Sequence, residues 1–182
     1  MTGVDQTSFA RTDLVKPDVR QEFTDLSQAY FSWMNEQILT VCGFSIPDIV
    51  KMPLLDYVGY TVGIGCKIGP GEGGVYFIRN SAGEALAMGG LRRLPDGSAE
   101  IVRIYTRPAA RGLGLGSTMI NGLIGEARRL GYKELRLDTG IFMKDAQRRY
   151  IAAGFRPCEQ YAGAEPPDEL KPYWIYMTRP LD

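Results

Sequence analysis

Hydrophobic residues recur at a helical period in two long segments of this chain. Between residues 17 and 41, large apolar side chains return every three or four residues, as in an amphipathic helix. Gly43 follows at a position where a glycine commonly ends a helix. A similar stripe covers residues 119–130 and stops at Gly131. These segments are the two longest predicted helices.

Alternating polar and apolar residues predict strands elsewhere. A turn sequence, Asn80-Ser81-Ala82-Gly83, joins strands at residues 75–79 and 84–91 into a hairpin, and residues 100–105 continue the meander. The other predicted elements are a weak strand at 8–15, a strand at 134–139, a helix at 143–153 and a closing strand pair at 155–161 and 173–178. This order predicts a single α/β domain with a mixed sheet.

Residues 44–74 are harder to assign. We predict a short helix and an irregular connection for residues 44–58. Residues 59–74 contain seven glycines, which favours a mobile surface loop. The alternative is a flap on the substrate side.

Residues 99–117 combine a strand, a turn and a glycine-rich helix start. The β-branched and aromatic residues at 100–105 suit a sheet, and Pro108 cannot extend it. Gly112, Gly114 and Gly116 then allow the backbone to approach a ligand closely. A helix start of this kind binds phosphate well, because its amides are unpaired and the helix dipole favours an anion. We therefore predict an anion site here.

Composition narrows the chemistry. The 182 residues suffice for one domain, and 21 basic residues balance 21 acidic ones, so no overall field favours nucleic acid or an anionic membrane. Without a long apolar run or a signal peptide, the expected location is cytoplasmic. The absence of histidine excludes His-dependent triads and zincin-type metal sites. Three widely spaced cysteines are expected to be buried free thiols.

Two motifs give the chain a family resemblance. The lip sequence Arg111-Gly112-Leu113-Gly114-Leu115-Gly116 resembles the Gln/Arg-x-x-Gly-x-Gly/Ala signature of the GNAT N-acetyltransferase superfamily. Residues 143–155, which end in Tyr-x-x-x-Gly-Phe, are similar to the second acetyl-CoA segment of that family. The two motifs occur in the expected order on the expected elements. With less force, the resemblance extends over about residues 8–180.

The resemblance implies an acyl-CoA N-acyltransferase fold: a mixed, mostly antiparallel, V-shaped sheet flanked by helices. Residues 1–182 would form one domain, with residues 1–7 as a flexible N-terminus. The sheet would splay between strands 100–105 and 134–139. The pantetheine arm of acetyl-CoA would insert there and pair with the backbone of Ile104, Tyr105 and Thr106.

The resemblance also implies roles for individual residues. The remaining predicted cofactor-binding residues are Arg111, Gly112, Leu113, Gly114, Leu115, Gly116, Ser117, Ala146 and Gln147. Tyr150 falls on the tyrosine that protonates the departing coenzyme A thiolate in this family. Where many members carry Asn, this chain has Met143-Lys144, which leaves one amide contact to the cofactor open. No metal is implied.

Two points have more than one interpretation: which group accepts the proton of the amine, and whether the protein is an enzyme. An attacking amine must be neutral, so we predict Glu100 as a base, with a solvated carboxylate as the alternative reading; Asp138 or a water chain could serve instead. The predicted function is acetyl transfer from acetyl-CoA to a primary amine of a small molecule or protein, and the resemblance favours a homodimer. The alternative is a non-catalytic module that senses acetyl-CoA.

Overall fold

The computed structural model describes residues 6–182, so the predicted flexible N-terminus lies mostly outside the described residues. The strands are β1 (Ser8–Arg11), β2 (Gly74–Arg79), β3 (Ala85–Arg93), β4 (Ala99–Thr106), β5 (Glu134–Gly140), β6 (Arg156–Cys158) and β7 (Trp174–Pro180). The helices are α1 (Pro17–Cys42), α2 (Ile46–Val50), α3 (Leu54–Lys67), α4 (Leu115–Arg129) and α5 (Lys144–Ala152), with 3₁₀ turns at Pro108–Ala110 and Asp168–Tyr173.

One mixed sheet organises the described chain, with strand order β1-β2-β3-β4-β5-β7-β6. The pairs are antiparallel except for β4 and β5, which run parallel. The helices α1, α2 and α3 pack on one face, around Phe77 and Met88, and α4 packs on the other, around Leu91 and Leu135. The predicted mixed, mostly antiparallel α/β fold is confirmed.

The sheet opens into a V between β4 and β5. Their pairing covers only Ala99 with Leu135 and Glu100 with Arg136. Farther along β4, the register against β3 shifts, and Arg103 adopts a left-handed φ of 55°. This extra residue bulges β4 and turns its second half away from β5. The predicted splay is therefore present, and the bulge at Arg103 accounts for it.

The prediction of a glycine-rich loop at residues 59–74 is wrong over most of its length, because α3 extends to Lys67. The buried residues Val58, Val62 and Gly65 lie on one face of α3, at helical spacing. A Cβ at Gly65 would lie 2.9 Å from Cε1 of Phe23, so glycine here allows α3 to pack closely on α1. The apolar period, rather than the glycine content, was the informative signal.

Smaller differences concern element ends and the cysteines. The strand predicted at 155–161 is reduced to β6, because Tyr161 leaves the sheet and packs with Leu94 and Tyr176. The weak strand at 8–15 ends at Arg11. The cysteines are free, as predicted, but Cys66 is exposed at the solvent side of α3 and the others are half-buried.

Candidate active site

A cavity of about 670 Å³ lies where β4 leaves β5, bounded by the start of α4 and by α5. Most of the predicted cofactor-binding residues line it, namely Ile104, Tyr105, Thr106, Arg111, Gly112, Gly114, Leu115, Gly116 and Ala146. The other three do not: Leu113 is exposed, the Ser117 hydroxyl accepts a hydrogen bond from Arg149, and Gln147 donates to the Gly140 carbonyl. We call this space the large cavity.

The glycine lip has the backbone form that an anion site needs. Gly112 and Gly114 have φ angles of 84° and 77°, in the left-handed region where only glycine is unstrained. A Cβ at either position would meet nothing within 4 Å, so conformation rather than space requires glycine. At the start of α4, the first backbone amides to donate a hydrogen bond are those of Ser117 and Thr118, and both donate to the Gly114 carbonyl. By helix geometry, the amides before them are left for a ligand.

Three cationic side chains, Arg111, Lys144 and Arg149, line the large cavity. The Arg149 Nη1 lies 3.3 Å from the Ser117 hydroxyl oxygen, to which it donates. Such groups suit a phosphorylated ligand, because charge-assisted hydrogen bonds to phosphate are the strong ones. Sequence reasoning assigned no role to Lys144 or Arg149. Their position in the second motif was the available signal, but only the packing of α5 beside the lip places them at the cavity.

Tyr150 lies at the junction of two spaces. It lines the large cavity and also a smaller space, which we call the acidic pocket, lined by Tyr30, Arg103, Asp138, Glu165 and Trp174 among others. The tyrosine is 6% exposed. Burial, and next the negative charge of Asp138, raise the pKa of the Tyr150 phenol above its usual range. The phenol therefore holds its proton and can act as a donor.

Asp138 is the half-buried carboxyl of the acidic pocket. Its Oδ1 accepts a hydrogen bond of 2.7 Å from Trp174 Nε1. Burial, and then the nearby Glu100 and Glu165, raise the pKa of Asp138 to about 8. A carboxyl of this kind can exchange protons near neutral pH, where an ordinary aspartate cannot.

Glu100 is placed differently from Asp138. It lies at the closed part of the V and lines neither the large cavity nor the acidic pocket. It is fully buried, accepts a 2.7 Å hydrogen bond from the Tyr161 hydroxyl and forms an ion pair with Arg92. Although Arg92 and Tyr161 favour the charged form, desolvation dominates and raises the pKa of Glu100 to about 6. The alternative of a solvated carboxylate is excluded by this burial.

Met143 stands where many family members have asparagine. Its sulfur accepts weak hydrogen bonds from the Thr139 hydroxyl at 3.5 Å and the Gly140 amide at 3.4 Å. The side chain thus closes the end of β5 while bordering both spaces. Within residues 6–182, no helix is long and apolar enough to cross a membrane, and no three metal-ligating side chains come together.

Comparison with known proteins identifies the family and the fold. The model of the acetyltransferase (GNAT) family matches residues 56–155. An uncharacterised N-acetyltransferase of Schizosaccharomyces pombe is 34% identical over 96 residues, which is 52% of this chain and 59% of that relative. The chain thus spans less than two-thirds of that relative's length.

Solved structures cover nearly the whole chain and share its fold. A GNAT-family acetyltransferase from Staphylococcus aureus Mu50 superposes with a TM-score of 0.66 at 14% identity, covering 97% of this chain and 100% of that one. The Salmonella typhimurium protein yncA, solved with acetyl-CoA, gives a TM-score of 0.57 at 16% identity, covering 97% and 94%. From the family match and the shared fold, this chain belongs to the GNAT acetyltransferase family.

Proposed function

We propose that this protein transfers the acetyl group of acetyl-CoA to a primary amine by direct attack, with Tyr150 as the general acid. The observation that carries the proposal is the position of Tyr150, which borders the large cavity and the acidic pocket alike. A group at this junction can reach a donor on one side and an acceptor on the other. Family membership and the acetyl-CoA seen in the Salmonella relative support the choice of donor.

The large cavity fits coenzyme A by its chemistry. The lip amides and the cations Arg111, Lys144 and Arg149 would hold phosphate groups. The second half of β4, Ile104–Thr106, faces the opening of the V and has no β5 partner, so its backbone can pair with the pantetheine arm. Bound there, acetyl-CoA supplies an acetyl thioester.

The protein's own residues manage the protons. The amine nitrogen attacks the thioester carbonyl, the carbon–sulfur bond breaks, and the leaving thiolate takes the proton of the Tyr150 hydroxyl. The proton lost by the amine passes to Asp138, directly or through water, and exchange with solvent restores both groups. A positioned acid of this kind contributes typically ~10²–10⁴-fold.

Among the bases considered, Asp138 is the one we favour. It lines the acidic pocket next to Tyr150, whereas the Glu100 carboxylate is engaged by Arg92 and Tyr161 away from both spaces. Glu100 keeps an indirect influence, since its charge helps to raise the pKa of Asp138. A cytoplasmic location and a homodimer remain predictions from the sequence.

The test is release of the coenzyme A thiol from acetyl-CoA across a panel of primary amines, with calorimetric titration of coenzyme A beside it. We expect at least one amine to accelerate thiol release, and coenzyme A to bind. Tight binding of coenzyme A with no release on any amine would contradict the proposal and favour a sensing module. If coenzyme A does not bind, the placement of the cofactor in the large cavity is contradicted.

A further inference from the structure

Beyond Tyr150, the acidic pocket leads into an apolar groove. The two spaces have volumes of about 40 and 80 Å³ and share Tyr30, Met34, Asp138, Glu165 and Trp174. The groove walls include apolar side chains of α1 and α2, namely Met34, Ile38, Ile46, Ile49 and Val50, beside aromatic ones such as Phe31 and Tyr57. A short apolar group fits this surface, and an amine attached to it would reach Asp138 and Tyr150.

The charges around these spaces oppose a negative group. Asp138 and Glu165 line both of them. Of the described residues that line either space, Arg103 is the single cation, and it is already engaged. Its Nη2 lies 2.5 Å from Oε1 of Glu165, its Nη1 donates to the Thr61 carbonyl at 3.3 Å, and its guanidinium lies over the Phe31 ring.

The Arg103–Glu165 pair therefore decides what sort of acceptor can enter. With Glu165 in place, the guanidinium charge is neutralised. A carboxylate beside the amine would then meet Glu165, and Asp138 in its ionised, active form, without a free cation. Without the Glu165 charge, Arg103 would offer its guanidinium to such a carboxylate. Its Nε is buried with no hydrogen-bond partner in the structure, which leaves one donor unused even now.

We propose that the acceptor is a primary amine with a short apolar group and no carboxylate next to the amine, and that Glu165 enforces this choice. The inference rests on the proposed acetyl transfer. Glu165 acts here by repelling the wrong substrate and by occupying the cation that would bind it.

The experiment compares isoamylamine with leucine, which differ only by the α-carboxylate. We expect the wild-type protein to acetylate isoamylamine with a kcat/KM at least ~10-fold higher than leucine. Glu165→Gln should narrow this ratio at least ~5-fold, mainly by lowering the KM for leucine. Glu169→Gln, an exposed change close by in the sequence that lines neither space, is the matched control and should leave the ratio unchanged.

A double variant, Arg103→Gln with Glu165→Gln, separates charge from a mere change of loop shape. If the freed guanidinium binds leucine, the double variant should lose the lower KM for leucine that Glu165→Gln gained. A wild-type preference for leucine, or an unchanged ratio in Glu165→Gln, would overturn the inference while acetyl transfer stands. Inactivity on both compounds would also overturn it if the protein acetylates an amine that has a carboxylate next to the amine or that lacks a short apolar group. Inactivity on every amine would instead contradict the proposed function.

Discussion

Replacing Asp138 with asparagine should make the protein more stable and less active. The carboxyl is half-buried, and its pKa is raised from the ordinary value of 3.8 to about 8. Between these pH values the folded protein binds a proton at Asp138 that the unfolded chain has released, so the contribution of Asp138 to stability is highest at low pH and falls as the pH rises from about 4 to 8. Asparagine keeps an oxygen for Trp174 Nε1 and carries no charge to bury.

The size of the effect follows from the shift. One pKa unit corresponds to about 1.4 kcal/mol, so the whole rise from 3.8 to about 8 corresponds to roughly 6 kcal/mol as an upper value. We therefore expect the unfolding free energy of Asp138→Asn to exceed that of wild type by about 1 to 2 kcal/mol at pH 5 and by up to roughly 6 kcal/mol at pH 9. The assay is chemical denaturation of both proteins from pH 5 to pH 9. The same substitution at exposed Asp56 is the control, and it should not reproduce the divergence.

Activity should change in the opposite direction. If Asp138 accepts the amine proton, Asp138→Asn lowers turnover by ~10²-fold or more. The ratio of wild-type to variant kcat/KM should rise with pH to about 8 and then level off, because the aspartate must be ionised to act. If the stability curves of the two proteins run parallel with pH, the raised pKa of Asp138 is refuted. Wild-type turnover in the variant at pH 8 would refute its role as base.

Two further changes test the lip and α4. Gly114→Glu should abolish coenzyme A binding in calorimetry, since it puts a side chain at a φ of 77° and a negative charge at the anion site; normal binding would refute the placement. In α4, Gly125→Ala should raise the unfolding free energy by about 1 kcal/mol, because a Cβ there meets open space and alanine favours helix. Gly122→Ala should lower it, because its Cβ would lie 2.6 Å from the Phe9 ring, and a gain there equal to that of Gly125→Ala would contradict the packing.

The parts of the fold that follow local rules could be predicted from the sequence. The helix ends at Gly43 and Gly131, the hairpin at residues 80–83 and the lip before α4 all depend on residue types at fixed offsets. The glycines of α3 were misleading because the glycine content favours a loop, whereas the helical spacing of the apolar residues indicates a helix. Gly65 serves packing against Phe23, a tertiary reason that no local rule contains.

The same contrast between local motifs and tertiary packing explains why only part of the site could be predicted. The lip residues belong to one continuous motif, whereas Arg149 reaches the cavity only because α5 packs beside the start of α4. Glu100 was expected near the splay on the assumption that strand alternation continues. The bulge at Arg103 interrupts that alternation, and the pairing with β5 puts Glu100 at the closed end of the V. Asp138, a secondary candidate, lies on the open side.

The central claim is that Tyr150 donates a proton across the junction of the two spaces. Its most direct test is Tyr150→Phe, measured as turnover by thiol release and as coenzyme A affinity by calorimetry on the same preparation. We expect a loss of turnover of at least ~10-fold with nearly unchanged affinity, because only the hydroxyl is removed. Unchanged turnover in this variant would contradict the claim.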